Sequence, residues 1–251
     1  MSGHSKWSTI KRKKAANDAK RGAIFTRLAR EISIAAREGG GDPETNFGLR
    51  LAIDRAKANN VPKDNIDRAI KRGTGEDKAG VAFEQIMYEG YAPHGIALLI
   101  EVVTDNRNRT VADLRHTLTK SGGNMADAGS VSWQFTRAAY FSISSEGVDP
   151  EAVFDLAVEA GADDVILGED DIEILAPVGA FRSIKESLDQ AAVRTDEAEL
   201  RMVPNSPLQL APENALKVMH IIEELEDQPD VQSVFSNLEV TEEAVEMLEA
   251  A

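Results

Sequence analysis

Apolar residues recur at helical spacing through the first third of the chain. Asn17 or Asp18 can cap a helix in which Ile24 (or Phe25), Leu28, Ile32 and Ala35 return about every 3.6 residues, and Gly39-Gly40-Gly41 ends it. Asp42-Pro43 is expected to restart a helix, as an N-cap acceptor followed by proline, with Leu49, Ile53 and Ala56 as its stripe and Phe47 and Leu51 beside it. A third helix is predicted from Pro62, carrying Ile66, Ala69 and Ile70 to Gly73 as its C′ residue. The glycine run is too loose for a helix-turn-helix.

After Gly80 the pattern turns extended. Strands are predicted over 83–91 and 96–103, joined by the turn signal Ala92-Pro93-His94-Gly95. A helix over 110–120 follows, with Val111, Leu114 and Leu118 on one face, and Val131, Trp133 and Phe135 alternate as in a strand. From 139 to 204 the order is strand (139–145), helix (150–160), strand (164–167), strand (172–176), helix (178–192), strand (200–203). That βαββαβ order is the ferredoxin-like unit. A helix over 212–225 and a strand over 231–235 are then left to complete the sheet begun at Phe83, and 242–251 reads as an acidic terminal helix. The expected fold class is α+β in three domains. These are a basic helical domain over 1–79, an α+β domain split between 80–136 and 206–251, and a ferredoxin-like domain over 137–205 inserted in it.

Charge sharpens this division. The chain of 251 residues has a net charge of −15, yet residues 1–78 hold 18 Lys and Arg against 10 Asp and Glu, a net +8. Residues 79–251 hold 10 against 33, a net −23, and within 1–37 the count is 10 against 2. A polyanion is drawn to one end of such a molecule and repelled by the other, which orients it; a solvated basic tail is the alternative. With no cysteine there are no disulfides, thiol nucleophiles or thiolate metal sites. No run of about 20 apolar residues is present to cross a bilayer, and the first residues lack an apolar signal region, so a soluble cytoplasmic protein without membrane contact is expected.

Catalytic constellations are weak. His4, His94, His116 and His220 are far apart and outside metal-ligand spacing, and Asp163-Asp164 and Asp170-Asp171 have no histidine partner. Gly73-Thr74-Gly75 is followed by acids rather than a phosphate-binding helix start. The expectation is a non-enzyme without cofactor or metal.

Nucleic-acid contact has the better candidates. Lys11-Arg12-Lys13-Lys14 is a dense basic run near His4, Lys6 and Trp7, and Lys20, Arg21, Arg27 and Arg30 continue it onto the first helix. Lys20, Arg27 and Arg30 fall near one helical face while Leu28 and Ile32 turn to the core, presenting a cationic stripe to phosphates. Trp7 either stacks on a base or ribose or anchors the arm in the core. At the junction of strand and helix, Asp105-Asn106-Arg107-Asn108-Arg109-Thr110 offers Arg107 and Arg109 to phosphate; alternatively Asn108 caps the helix and both arginines pair with local acids. The ferredoxin-like unit does not read RNA as a recognition motif does. Adjacent Tyr140 and Phe141 must point to opposite faces, the 164–167 strand has no aromatic, and the unit is acidic.

Several segments in order closely resemble the YebC/PmpR family. They are GHSKW at 3–7, KAANDAKRGAIFTRLAREI at 14–32, GGGDP at 39–43, YEGYAPHG at 88–95, DNRNRT at 105–110, GGN at 122–124 and LEDQPDVQSVFSN at 225–237. The resemblance implies a three-domain protein, one α+β domain being ferredoxin-like and inserted in the other. It also implies a probable transcriptional regulator that binds promoter DNA, or a ribosome-associated factor that helps synthesis through proline runs, as in a related mitochondrial translational activator. Mitochondrial members would carry a transit peptide ahead of the first motif, so a chain opening on that motif is expected to be bacterial and cytosolic. The expected partner is thus promoter DNA or, alternatively, ribosomal RNA and the ribosome; oligomeric state is left open.

Overall fold

The computed structural model describes residues 7, 18–76, 83–168 and 171–250. Helix α1 (Asp18–Gly39) buries Leu28, Ile32 and Ala36, with Ala35 only partly covered. It packs on α2 (Phe47–Ala58) and α3 (Lys63–Gly73), whose buried residues include Leu49, Ala52, Ile53 and Ala56 and, on α3, Ile66 and Ala69. Gly40 leaves α1 at φ +87, the left-handed region that glycine enters without penalty.

The second helix does not begin at Asp42-Pro43. Those residues form a turn in which Asp42 Oδ1 accepts from the Glu44 amide at 2.9 Å. The cap is Asn46, whose Oδ1 accepts from Leu49 N at 3.0 Å while its Nδ2 donates to Ala35 O at 2.7 Å and Gly40 O at 2.8 Å. A carboxylate could cap α2, but only an amide can also donate to the carbonyls at the end of α1.

Gly73 is the last residue of α3 rather than a residue beyond it, and it is there for packing. A Cβ at this position would lie 2.3 Å from Ser33 O and 2.7 Å from the Ala36 Cβ on α1. Ala in place of Gly ordinarily favours a helix. Here Gly73→Ala is expected to destabilise the protein by about 1–3 kcal/mol through overpacking, measured as a lower urea midpoint; a raised midpoint would refute the close approach.

The body begins with β1 (Glu84–Tyr91) and β2 (Ala97–Thr104), followed by α4 (Arg107–Lys120) and the short β3 (Asn124–Ala126). The helix α4 starts before Thr110, and Asn106 rather than Asn108 caps it, its side chain accepting from Arg109 N at 3.1 Å. The Val131–Trp133–Phe135 alternation is not a strand. Ser132–Gln134 is one 3-10 turn, and the next strand, β4 (Phe135–Ser144), begins after it.

A ferredoxin-like unit follows: β4, α5 (Pro150–Glu159), β5 (Asp164–Leu167), β6 (Asp171–Pro177), α6 (Phe181–Gln190) and β7 (Glu197–Pro204). Its strands run in the order β5-β6-β4-β7, all antiparallel. Phe141 and Ile143 on β4 and Ile172 and Ile174 on β6 bury against Val153 of α5 and Phe181, Ile184 and Leu188 of α6.

After β8 (Leu208–Gln209) the chain returns through α7 (Pro212–Glu226) to β9 (Val231–Ser236), which pairs antiparallel with β2. The first sheet is therefore β3-β1-β2-β9, with the ferredoxin-like unit inserted between its strands. β10 (Leu238–Glu239) pairs in parallel with β8, and α8 (Glu242–Ala250) closes the fold. Beneath the first sheet, Leu98, Ile100 and Val102 meet Leu114 and Leu118 of α4, Val218 and Ile222 of α7, and Val245 of α8. On its other face Ala97 and Leu99 meet Val131 and Phe135, with Met202 of β7 and Phe235 of β9 packed alongside. Among the described residues no helix is long and apolar enough to cross a membrane.

Candidate nucleic-acid interface

The basic run itself, with His4, Lys6, Lys11, Arg12, Lys13 and Lys14, lies outside the described residues. Lys20 and Arg21 belong to the first turns of α1. Trp7 is 5% exposed and sits in the core beneath β2, so it anchors the arm rather than stacking on a base.

Two cations of the stripe expected on α1, Arg27 and Arg30, turn onto the body of the protein. Arg27 donates through Nη2 to Glu226 O at 2.6 Å and through Nη1 to Gln232 O at 3.3 Å. Burial lowers its pKa from the usual arginine value, against the pull of Glu226 and Asp227. Arg30 Nη1 reaches Pro229 O at 2.6 Å and Asp230 Oδ1 at 3.1 Å. Both side chains dock α1 onto the turn between α7 and β9. Their partners are about 200 residues away in sequence, so helical periodicity could not show that their face is covered.

In the 105–110 segment both arginines pair with acids, although Asn106 is the cap and one of the acids, Asp230, is remote in sequence; the Arg107 and Arg109 side chains stay 63% and 47% exposed. Arg107 pairs with Glu84 at 2.7 Å, and Arg109 bridges Asp105 at 3.0 Å and Asp230 at 2.7 Å. Asp230 is the hub of this corner. It is 4% exposed and takes hydrogen bonds from Arg30, Arg109, Thr104 Oγ1 (3.1 Å) and Thr110 Oγ1 (2.8 Å). Burial alone would raise its pKa, but the bonds from Arg109, Thr110 and Thr104 hold it below the ordinary aspartate value.

Other cations are free for an external partner. Arg37 at the end of α1 and Lys63, Lys71 and Arg72 on α3 are exposed and form no ion pair among the described residues. Since Ile66 and Ala69 point α3 inward, Lys63, Arg68, Lys71 and Arg72 share its outer side with Asp64 and Asp67. Lys57 and Lys63 also line an apolar cleft of about 420 Å³ between α2 and α3, floored by Ile53, Val61 and Ile66. The sequence signal for this patch was the Lys71-Arg72 pair near the end of an amphipathic helix, overshadowed by the denser run at 11–14.

The ferredoxin-like sheet offers phosphate little. On the face away from α5 and α6, the Arg201 guanidinium lies 3.2 Å from the centre of the Tyr140 ring, and Tyr140 donates to Glu173 at 3.0 Å. Register places Asp171, Glu173, Glu197 and Glu199 on that same face. Arg55 of α2 ties the helical bundle to it, pairing with Glu31 at 2.8 Å and also with Glu199. Burial pushes the Glu199 carboxyl above its ordinary value despite Arg55. Among the described residues no group of three or more His, Asp or Glu is placed to hold a metal ion.

One residue of the body was misassigned by its pattern. Trp133 is 72% exposed, on the loop between β3 and β4.

The architecture is that of a three-domain α+β protein: a helical bundle with exposed cations, joined to an α+β body that carries an inserted ferredoxin-like unit. Residues 5–76 match the TACO1/YebC N-terminal domain and residues 83–238 the TACO1/YebC second and third domain. The chain belongs to the TACO1/YebC family. It is 50% identical over 248 residues to a probable transcriptional regulatory protein of Geobacter sulfurreducens, covering 99% of this chain and 100% of that one. A protein of the same description from Desulfotalea psychrophila is 49% identical over 249 residues, 99% of each chain. The crystal structure of a conserved hypothetical protein from Aquifex aeolicus superposes with a TM-score of 0.82 at 42% identity, covering 90% of this chain and 93% of that one.

Proposed function

We propose that the protein is a non-enzymatic, cytoplasmic, nucleic-acid-binding regulator of gene expression, acting on promoter DNA. Charge segregation carries the reading: ten basic residues against two acidic within 1–37, on a chain whose net charge is −15. With Arg27 and Arg30 turned inward, the reading rests phosphate contact on His4, Lys6, Lys11, Arg12, Lys13, Lys14, Lys20 and Arg21, with Arg37, Lys63, Lys71 and Arg72 as a second row. The acidic body is repelled by the same polymer and holds the helical end toward it. The names of the relatives support a role in transcription.

Replacing Lys11, Arg12, Lys13 and Lys14 with alanine is expected to weaken binding to duplex DNA. The slope of log K against log salt should fall by about 0.9 for each lost phosphate contact. An unchanged slope would remove these residues from the interface.

A second reading is a ribosome-binding translation factor, because phosphate attraction is shared by ribosomal RNA and the exposed indole of Trp133 suits unpaired bases better than a duplex. Crosslinking in cells followed by sequencing of the bound nucleic acid separates the two. Promoter enrichment supports the first reading, and enrichment at ribosomal RNA positions the second.

A further inference from the structure

Trp133 is the most exposed large apolar side chain among the described residues, yet its loop is firmly held. Glu89 of β1, only 7% exposed, gives its whole carboxylate to that loop. Its Oε1 accepts from Gly129 N at 2.7 Å, and Oε2 accepts from Val131 N at 2.6 Å and Ser132 N at 3.1 Å. Val131 is plugged into the core at 0% exposure. The Trp133 carbonyl accepts from Asn205 Nδ2 at 3.1 Å, tying the loop to the chain that leaves the ferredoxin-like unit. Burying a carboxylate is costly unless its hydrogen bonds are fully met. Here that cost goes to fixing a surface loop whose tip is an indole in water.

The indole's chemistry narrows what it can meet. Its single polar group is already used, since Nε1 donates to Ser130 O at 3.0 Å. What remains to offer is the aromatic surface. A protein hot spot seats such a ring near the centre of a well-packed interface from which water is excluded. Beside Trp133 in the chain and across the stitch, Ser132, Gln134, Thr136 and Asn205 are polar, and the 204–209 segment adds one exposed large apolar side chain, Leu208. Charge agrees: residues 127–137 contain one acid, Asp127, and one base, Arg137, and residues 204–209 contain neither. This is a neutral island within a stretch, 79–251, that carries a net −23, so a polyanion can approach it.

We propose that Trp133 is a stacking platform for an unpaired base of a single-stranded nucleic acid, an inference that rests on the nucleic-acid reading above. Bases within a duplex are already stacked and closed to the indole, whereas single strands and loops present a free face. The loop is held by four hydrogen bonds before any base arrives, so little order is lost when one docks.

The test uses the full chain with a short unstructured RNA and a duplex DNA of equal length. Trp133→Ala is expected to bind the single strand about tenfold more weakly, with duplex binding unchanged, and Trp133→Phe to retain most of the affinity. Trp7 is buried, so emission quenched by the single strand in the wild type should come from Trp133 and vanish in Trp133→Phe. Unaltered single-strand affinity in Trp133→Ala, while the alanine variant of residues 11–14 loses binding, overturns this inference alone. A wild type that binds neither polymer overturns the nucleic-acid reading and this inference together. A change of sedimenting mass in Trp133→Ala would mean that the indole packs on a second copy of the chain, and also overturns it.

Discussion

Asp230→Ala is expected to cost about 3–5 kcal/mol of stability, the range for removing one partner from a buried, hydrogen-bonded ion pair. The carboxylate joins three elements: Thr104 at the end of β2, Arg109 and Thr110 on α4, and Arg30 on α1. Without it, the Arg30 guanidinium keeps the backbone carbonyls of Pro229 and Val103 and the face of the Phe83 ring, and loses its one carboxylate. The same turn supplies Glu226 O and Gln232 O to Arg27, so the helical bundle should loosen from the body as well. Equilibrium urea unfolding should show a lower midpoint, with α1–α3 leaving before the sheets. Asp230→Asn cannot rescue fully, because its amide turns a donor toward either Arg30 or Arg109. The pH dependence has a fixed sign. A carboxyl held below its ordinary value contributes stability that is complete above the unfolded-state pKa and is lost as pH falls through the folded one. Acid should therefore destabilise the wild type more than Asp230→Ala. A loss below about 1 kcal/mol, the size of a surface pair, would remove Asp230 as the hub.

What the sequence made legible was local. Leu28 and Ile32 at helical spacing, and Asp149-Pro150 opening α5, name their elements because period and cap lie within a few residues of each other. The insertion was legible by elimination: once βαββαβ is complete, the 231–235 strand is left to finish the sheet begun at Phe83, and it does so by pairing with β2. Contacts closed by the fold were not legible. Arg27 and Arg30 look like a solvent-facing stripe until residues 226–232 come to lie over them. Asn46 outcompetes Asp42-Pro43 because it must also bind the end of α1, a requirement visible only once the two helices are side by side. The basic run at 11–14 was plain from composition, whereas the cations of α3 gain meaning only from the burial of Ile66 and Ala69, which turns them outward.

Trp133 shows how a pattern can mislead. Val131, Trp133 and Phe135 alternate as a strand does, yet the buried carboxylate of Glu89 on β1 takes the amides of Val131 and Ser132 where a turn over Ser132–Gln134 begins. Glu89→Gln is therefore expected to be severely destabilising, although it keeps the side chain's shape. The carboxylate accepts three backbone N–H groups on two oxygens. A carboxamide has one oxygen, and its NH₂ would face an N–H with which it cannot bond. Hydrogen bonds to a charged acceptor are worth about 1.5–3 kcal/mol each, so losing one or two and stranding a buried donor should cost about 3–5 kcal/mol. Burial by itself would raise the Glu89 pKa, but the amides of Val131, Gly129 and Ser132 hold it below the ordinary glutamate value. Its contribution is thus full above the unfolded-state pKa and disappears as pH falls through the folded one. The effect can be seen locally before global unfolding. Fluorescence anisotropy of the exposed Trp133 should fall in Glu89→Gln, and in the wild type on acidification, while far-ultraviolet dichroism still reports the sheets. A Glu89→Gln protein as stable as wild type, with the same anisotropy, would show that the loop holds its shape without the carboxylate. The rigidity on which base stacking at Trp133 depends would then need another source.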